Sequence, residues 1–336
     1  DSSVTGVQTC ALPIYPRRKA TGWHAVWDQY RRLLAGRSAP DAIGWHFHTV
    51  PIGGHALEYN ACWTNTAWHE QALARRLLER ESFPALWRAG GVIQRNDQSH
   101  WLDRFIPFDY SNWAQRNAPC GGPGELSDWR GAPLDWAGYH PHRDDYRRPG
   151  EMRRTVFRCL DVDTPACRLT RDDVREAFAR VRDGRTAVLA FTNHDRRDLR
   201  PDIARAEALV REVSAEFPEV PWRWSNARDA ARDSLGVADA PAPQFALAWE
   251  RGVLRISADR ELFGPEPFFA VAEEGDRVYR DELTIEGERQ WAWRPTRPRL
   301  LRAVAVGAAN AAGRTGVARM AVSERDPAIR TMVCRA

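Results

Sequence analysis

Apolar positions recur along the first 237 residues in two alternating patterns, short continuous runs and helical spacing. The helical pattern predicts helices over 22–36, 66–81, 98–104, 170–182, 202–217 and 225–235. The short runs predict strands over 42–48, 84–88, 105–110, 186–193 and 220–224. Strands that alternate with helices are typical of the α/β class, with a parallel sheet or barrel.

Local signals support several of these elements. Thr170 and Asp173 have the spacing of a capping box, and Pro201 stands where the next helix should begin. Ser225 is the predicted N-cap of the last helix of this region. The run over 186–193 is apolar throughout, which is typical of a parallel strand buried on both faces.

The pattern changes after the segment ADAPAP at 238–243, which we interpret as a linker. Beyond it, short runs at even spacing are separated by turns that carry glycine. The runs lie at 244–250, 253–257, 268–272, 290–294, 301–308 and 315–322. This spacing predicts an antiparallel β-sandwich-like domain over 244–336.

Residues 1–14, DSSVTGVQTCALPI, have neither the basic start nor the apolar run of a signal peptide. They resemble a translated sequencing adapter, so we exclude this non-native, adapter-like segment from the fold. We expect the native protein to begin near Tyr15, with the coding sequence cut upstream of it.

Composition narrows the choice of partners. The net charge is +4, from 49 basic and 45 acidic residues spread along the chain, and no basic run is interleaved with aromatic residues. This argues against a nucleic-acid partner.

No run approaches the roughly 18 apolar residues of a membrane span. The 6 cysteines form no CxxC motif, which predicts mostly free thiols and a cytoplasmic location. The oligomeric state is not indicated.

Tryptophan is the unusual feature of the composition, with 15 residues. Several stand beside Gly, Pro, His or Asp in predicted loops, namely Trp45, Trp63, Trp113, Trp129 and Trp136. Indole rings at the mouth of a scaffold can stack on sugar rings, and ordinary packing is the alternative. The long segment 112–150 is rich in Trp, His and Asp, and we expect it to be a functional loop. The candidate carbohydrate-binding residues are Trp45, Trp136, His140 and Asp109.

His46 and His48 are two residues apart on a predicted strand, so their side chains should lie on one face. Two imidazoles in this arrangement could form half of a metal site, or they could be loop histidines bonded to the backbone. Other polar residues also follow predicted strands, namely Arg88, Asp109, His194, Asp195 and Ser225. In parallel barrels the active site lies at the carboxyl ends of the strands.

The ordered set of these motifs resembles the polysaccharide deacetylase family over 23–230. Residues 44–48 (GWHFH) are similar to a GxHxH variant of the family's histidine motif. Residues 87–91 (WRAGG), followed by 108–111 (FDYS), resemble its arginine motif and the strand after it. Residues 192–195 (TNHD) resemble the late motif, in which a histidine at a strand end is the general acid.

The resemblance implies a fold and a reaction. Residues 15–237 would form an incomplete (β/α) barrel that lacks its first unit. The protein would be a metal-dependent hydrolase that removes N- or O-acetyl groups from a carbohydrate. His46 and His48 would bind a divalent metal, with zinc the expected ion, together with an aspartate. Arg88 would orient a second aspartate that acts as base, or would be a structural ion-pair partner. His194 would be the acid, with Asp195 beside it as a further catalytic candidate.

The sequence departs from the family pattern in two ways. No pair of acidic residues on a strand precedes His46; in the family that strand would lie upstream of Tyr15. The HxH spacing also replaces the commoner HxxxH, which leaves the ligand geometry open. We therefore expect this fragment to bind metal weakly and to be inactive, unless His55 or His140 completes the site.

Two other classes of function stay open. One is a glycosidase that uses Asp109 and Asp195 as its paired carboxylates. The other is a degenerate barrel that binds carbohydrate through the Trp-rich loop without catalysis.

Overall fold

The computed structural model describes residues 23–35, 42–48, 62–64, 66–116, 128–162, 167–193 and 198–322. The predictions made for residues 1–22, for His55, and for His194 and Asp195 lie outside these residues. In chain order the elements are α1 Trp23–Leu34, β1 Trp45–Phe47, α2 Trp68–Arg80, β2 Leu86–Ala89, α3 Asn96–Asp103, β3 Phe108–Asn112, β4 Thr155–Asp161, α4 Arg171–Arg182, β5 Ala190–Thr192, α5 Arg200–Ser214, α6 Ala227–Ser234, β6 Phe245–Glu250, β7 Val253–Ala258, β8 Phe268–Glu273, β9 Arg277–Arg280, β10 Thr284–Gly287, β11 Gln290–Trp293, β12 Leu301–Ala309 and β13 Thr315–Ala321.

The chain folds as two compact units. The first contains the described residues of Asp1–Asn60, Leu86–His100 and Phe108–Ala238. The second contains those of Ala61–Ala85, Trp101–Pro107 and Asp239–Ala336. The boundary at Ala238 falls in the predicted linker, while α2 belongs to the same unit as the antiparallel strands.

The first unit is built on a five-stranded parallel sheet in the order β1-β2-β3-β4-β5. In the described part of the chain this sheet is open, because its end strands β1 and β5 do not pair with each other. The predicted α/β class is confirmed, and the open sheet is compatible with an incomplete barrel.

The two faces of this sheet have different surroundings. On one face, Leu86, Tyr110, Phe157 and Cys159 pack with Ala231 of α6, and we call this the α6 face. On the opposite face, which we call the outer face, a second core cluster joins the sheet to α4 and α5. Its members include Val156, Leu160, Val174, Phe178, Val210 and Val213. Alternate residues along each strand therefore belong to different cores.

Three strand predictions for the first unit need correction. β4, which is buried at every position, has no counterpart in the predicted pattern, because the charged side chain of Arg158 interrupts its apolar run. β5 is shorter than the predicted strand over 186–193 and is an edge strand, partly exposed at all three positions. Residues 220–224 form no strand. Pro221 lacks the N–H that a ladder needs, and the Val220 N–H donates to the Phe217 carbonyl in a turn.

The helix caps follow the prediction at one site and differ at the other. Thr170 and Asp173 form the complete capping box at α4, which confirms the prediction. The N-cap of α6 is Asn226, whose Oδ1 accepts the Asp229 N–H at 2.9 Å, and not Ser225. The predicted cap was wrong by one residue because Ser and Asn both suit this position.

The second unit contains two four-stranded antiparallel sheets, ordered β10-β11-β7-β6 and β13-β12-β8-β9. A shared apolar core that includes Leu254, Val271, Trp291 and Val304 fills the space between them. All six predicted strands are present. The pattern does not predict β9 and β10, because charged residues interrupt their apolar positions. Helix α2 packs on the second sheet, where a Cβ at Gly307 would lie 2.7 Å from Leu77.

Two further predictions can be compared with the structure. Of the three described cysteines, Cys62 and Cys159 are free and Cys167 is disulfide-bonded, which agrees with the expectation of mostly free thiols. None of the described helices combines the length and the apolarity needed to cross a bilayer.

Single substitutions can test which residue caps helix α6. We expect Asn226→Ala to lower the free energy of unfolding by about 1 kcal/mol, because the Asp229 N–H loses its acceptor. Ser225→Ala is the matched control and should change it by less than about 0.5 kcal/mol. Urea unfolding followed by circular dichroism measures both. Equal effects of the two substitutions would contradict the assignment of Asn226 as the cap.

Candidate functional site

His46 and His48 meet on one face of the sheet at its β1 edge. Their Nε2 atoms are 3.2 Å apart, and the two rings are nearly perpendicular. They lie at alternate positions on and just after β1, as the sequence predicts for two side chains that share a face. The described structure therefore contains a close imidazole pair at the carboxyl end of a parallel strand.

The hydrogen bonding of His46 determines its tautomer. Its Nδ1 lies 3.0 Å from the Arg88 carbonyl oxygen, which can only accept, so Nδ1 carries the hydrogen. In the neutral ring the Nε2 lone pair then points toward His48. Metal-binding histidines commonly have this arrangement, in which the second ring nitrogen donates to a backbone carbonyl.

Arg88 holds this edge together through its backbone and its side chain. Its guanidinium is buried and Nη1 donates to the Tyr110 carbonyl at 2.7 Å. The next residue, Ala89, donates its N–H to Ser111 Oγ at 2.8 Å. Arg88 thus connects β2 to β3 through its side chain, and its backbone carbonyl orients His46. Its role in the site is therefore that of a positioning residue.

Gly90 makes room for the His48 ring. A Cβ at this position would lie 2.6 Å from the His48 Cγ and 2.6 Å from the Phe47 carbonyl oxygen. Because backbone atoms of β1 cannot move away without breaking the sheet, no larger residue fits here. A steric constraint within the site therefore explains why residue 90 is a glycine.

A buried carboxylate that the sequence reasoning missed lies on the same face. Asp161 ends β4, and it alternates with Cys159, which belongs to the α6 face. Burial, with the Asp161 charge adding to it and the Arg88 charge opposing it, raises the pKa of the Cys159 thiol to about 11. Cys159 is therefore a neutral thiol at neutral pH, and Arg88 and Asp161 are both close enough to act on it. No strand was predicted at β4, so the acid at its end was not recognised.

Asp109 lies on the outer face, turned away from Arg88. Its carboxylate forms a buried ion pair with Arg154, and its Oδ1 accepts the Ser111 N–H at 2.8 Å. Arg154 is completely buried and also donates to Ser99 Oγ at 2.6 Å. With an exposure of 1%, Asp109 serves as an internal counter-ion in this structure.

The candidate carbohydrate-binding tryptophans, Trp45 and Trp136, are also buried. Trp45 packs edge-on against Trp87, with centroids 4.9 Å apart. Trp136 lies under the Arg158 guanidinium at 4.5 Å. Their exposures are 6% and 1%, so neither presents an open ring face. His140 is exposed, and its Nδ1 donates to the Arg154 carbonyl at 3.1 Å.

The other tryptophans of the predicted loops are likewise used in packing. Trp129 is fully buried and donates its Nε1–H to the Val92 carbonyl at 2.8 Å. In the second unit, Trp63 is 5% exposed and stacks on His69 at 4.1 Å. Trp113 packs against the outer core. These contacts favour the packing interpretation of the loop tryptophans.

The histidine pair fits two ligands of a metal ion. Two nitrogens bound to a tetrahedral zinc at about 2.0–2.1 Å lie about 3.3–3.4 Å apart, close to the distance seen here. Within the described ranges, however, no three His, Cys, Asp or Glu side chains converge as a metal site would require. The pair is therefore compatible with a metal, and a third protein ligand is not among the described residues.

Comparisons with known proteins give little further information. No family model matches the sequence, and no curated protein matches it. One solved structure, a carbohydrate acetylesterase from Xanthomonas citri, matches with 16% identity and a TM-score of 0.19. The match covers 46% of this chain and 46% of that protein, so the chain spans less than half of its length. A TM-score this low supports no statement about fold or function.

The buried position of Asp109 leads to a stability prediction. We expect Asp109→Ala to lower the free energy of unfolding by about 3–5 kcal/mol, because the buried Arg154 charge would lose its counter-ion. Asp135→Ala is the control, since Asp135 is half-exposed in its ion pair with Arg180 and should cost less than about 1 kcal/mol. Urea unfolding compares the variants. A soluble, equally stable Asp109→Ala protein would show that the pair is not structural.

Proposed function

We propose that this chain is the metal-binding part of a metal-dependent hydrolase that removes N- or O-acetyl groups from a carbohydrate. The observation that carries the proposal is the His46–His48 pair, with Nε2 atoms 3.2 Å apart and the His46 tautomer set by the Arg88 carbonyl. Its place at the carboxyl edge of a parallel sheet, where α/β proteins bind ligands, supports it. So does the ordered resemblance of 44–48, 87–91 and 192–195 to polysaccharide deacetylase motifs.

The proposed roles follow from the positions of the residues. His46 and His48 supply two nitrogen ligands for zinc or another divalent ion. When bound, such an ion would polarise the acetyl carbonyl and lower the pKa of a water molecule. Arg88 acts as a positioning residue, because it orients His46 through its carbonyl and ties β2 to β3. His194 is the proposed general acid, with Asp195 beside it.

The proposed hydrolysis also needs a carboxylate that acts as the base. Asp161 has the right chemistry and shares the α6 face with Arg88, so we propose it as a candidate within this chain. Asp109 is less suitable for this role or for the glycosidase alternative, because its carboxylate is paired with Arg154 on the outer face. The alternative of carbohydrate binding without catalysis would need exposed aromatic rings, and the described loop tryptophans are mostly buried.

Zinc titration of the intact chain tests the metal site. We expect weak binding with a stoichiometry of one, because two imidazoles are an incomplete ligand set. His46→Ala and His48→Ala should each weaken binding by about tenfold or more. Isothermal titration calorimetry measures the affinity, and acetate release from acetylated sugars should stay at the background level.

His142→Ala is the matched control for these variants. His142 is a partly exposed histidine beside Asp144 in the first unit, and its loss should leave zinc affinity unchanged. If His46→Ala and His48→Ala bind zinc as wild type does while remaining folded, the metal-site proposal is wrong. Nanomolar affinity would instead mean that a residue outside the described ranges, such as His55, completes the site.

A further inference from the structure

The first unit contains a cavity of about 420 Å³ at the opposite end of the sheet from the histidine pair. It lies beside the edge strand β5, between α4, α6 and the irregular segment 220–225. Its volume is within the usual range of about 300–1,000 Å³ for small-molecule sites. His46, His48 and Arg88 do not line it, whereas Cys159, on which the charges of Arg88 and Asp161 act, does.

The wall of this cavity is apolar and aromatic. Phe178, Phe191, Trp222 and Trp224 contribute rings, and β5 and the helices add valine and alanine side chains. Trp222 contacts Trp224 edge-on at 5.4 Å and Phe178 at 6.4 Å, while 38% of its surface remains exposed. A large aromatic side chain that is both packed and open to solvent offers a stacking surface at the cavity mouth.

The charges of the lining are balanced. Arg223 and Asp233 are the two charged residues there, and they form an ion pair with each other. Cys159 is held as a neutral thiol by its burial. An ionic ligand would lose hydration on entry without gaining an unpaired partner of opposite charge, so the cavity favours uncharged molecules.

The hydroxyl groups of the lining are mainly available as acceptors. Tyr110 donates to the Ala227 carbonyl at 2.6 Å, and Ser234 donates to the Ala231 carbonyl at 2.9 Å. Ser225 and Thr186 donate in the same way to backbone carbonyls. Because the protons of these four hydroxyls are already used, their remaining lone pairs suit a ligand that donates a hydrogen bond.

We propose that this cavity binds a small, uncharged aromatic molecule that carries a hydroxyl group, with its ring against Trp222 and its hydroxyl donating to the lining. This site does not depend on the hydrolase proposal. It is defined by ring stacking, by balanced charge and by hydroxyl acceptors, none of which involves the histidine pair.

Binding of three naphthalene probes to the full chain tests the ligand class. We expect 2-naphthol to bind with a stoichiometry of one, and at least about tenfold more tightly than the anion 2-naphthoate at pH 7. 2-Methoxynaphthalene, which cannot donate, should bind about fivefold more weakly than 2-naphthol. Isothermal titration calorimetry measures all three. No binding of 2-naphthol, or equal binding of the anion, would overturn the proposal.

Variants of the lining test the location. Trp222→Ala should weaken 2-naphthol binding by about fivefold or more, and Ala230→Leu should abolish it by filling the cavity. Trp68→Ala is the matched control, because Trp68 is a similarly exposed tryptophan of the second unit. Circular dichroism establishes that each variant is folded. Wild-type affinity in a folded Ala230→Leu protein would show that the ligand binds elsewhere.

Discussion

The register between β1 and β2 is the constraint on which the candidate site depends. It sets His46 opposite Arg88, so that the imidazole reaches the Arg88 carbonyl from the neighbouring strand. A slip of one residue would turn both histidines to the outer face, since side chains alternate along a strand. Gly90 is compatible with this register because it has no side chain; a Cβ at this position would clash with Phe47 and His48. The imidazole pair is therefore a product of strand pairing, and its geometry is as rigid as the sheet.

Strand β4, which lies between β3 and β5, provides the electrostatic framework of the first unit. Arg154, just before it, neutralises Asp109, and Arg158, within it, pairs with Asp173 of the α4 capping box. Each arginine is buried, so either would be strongly destabilising without its carboxylate. Because both project to the outer face, the α6 face is left free of them and carries Arg88, Cys159 and Asp161. The structural ion pairs therefore lie on the outer face, and the candidate site residues lie on the α6 face.

The sequence was sufficient where the controlling interactions are local. The capping box at Thr170, the six predicted antiparallel strands and the shared face of His46 and His48 all depend on residues close together in the chain. β4 was missed because the partners that allow its arginines to be buried come from Asp109 and Asp173, far apart in sequence. The burial of Trp45 and Trp136 also depends on residues far away in the chain. A tryptophan beside polar residues has the same local sequence pattern whether it lies in an open loop or in a core.

The two ends of the open sheet differ in chemistry for a physical reason. At β1 the strand ends in imidazoles whose lone pairs can face a cation, and a backbone carbonyl fixes one tautomer. At β5, no strand among the described residues pairs beyond it, and Pro221 of the nearby segment lacks the N–H that a ladder needs. Apolar side chains from α4, β5 and α6 consequently line a cavity where a further strand would exclude one. The two proposed ligands, a metal ion and an uncharged aromatic molecule, are thus assigned to opposite ends of the same sheet.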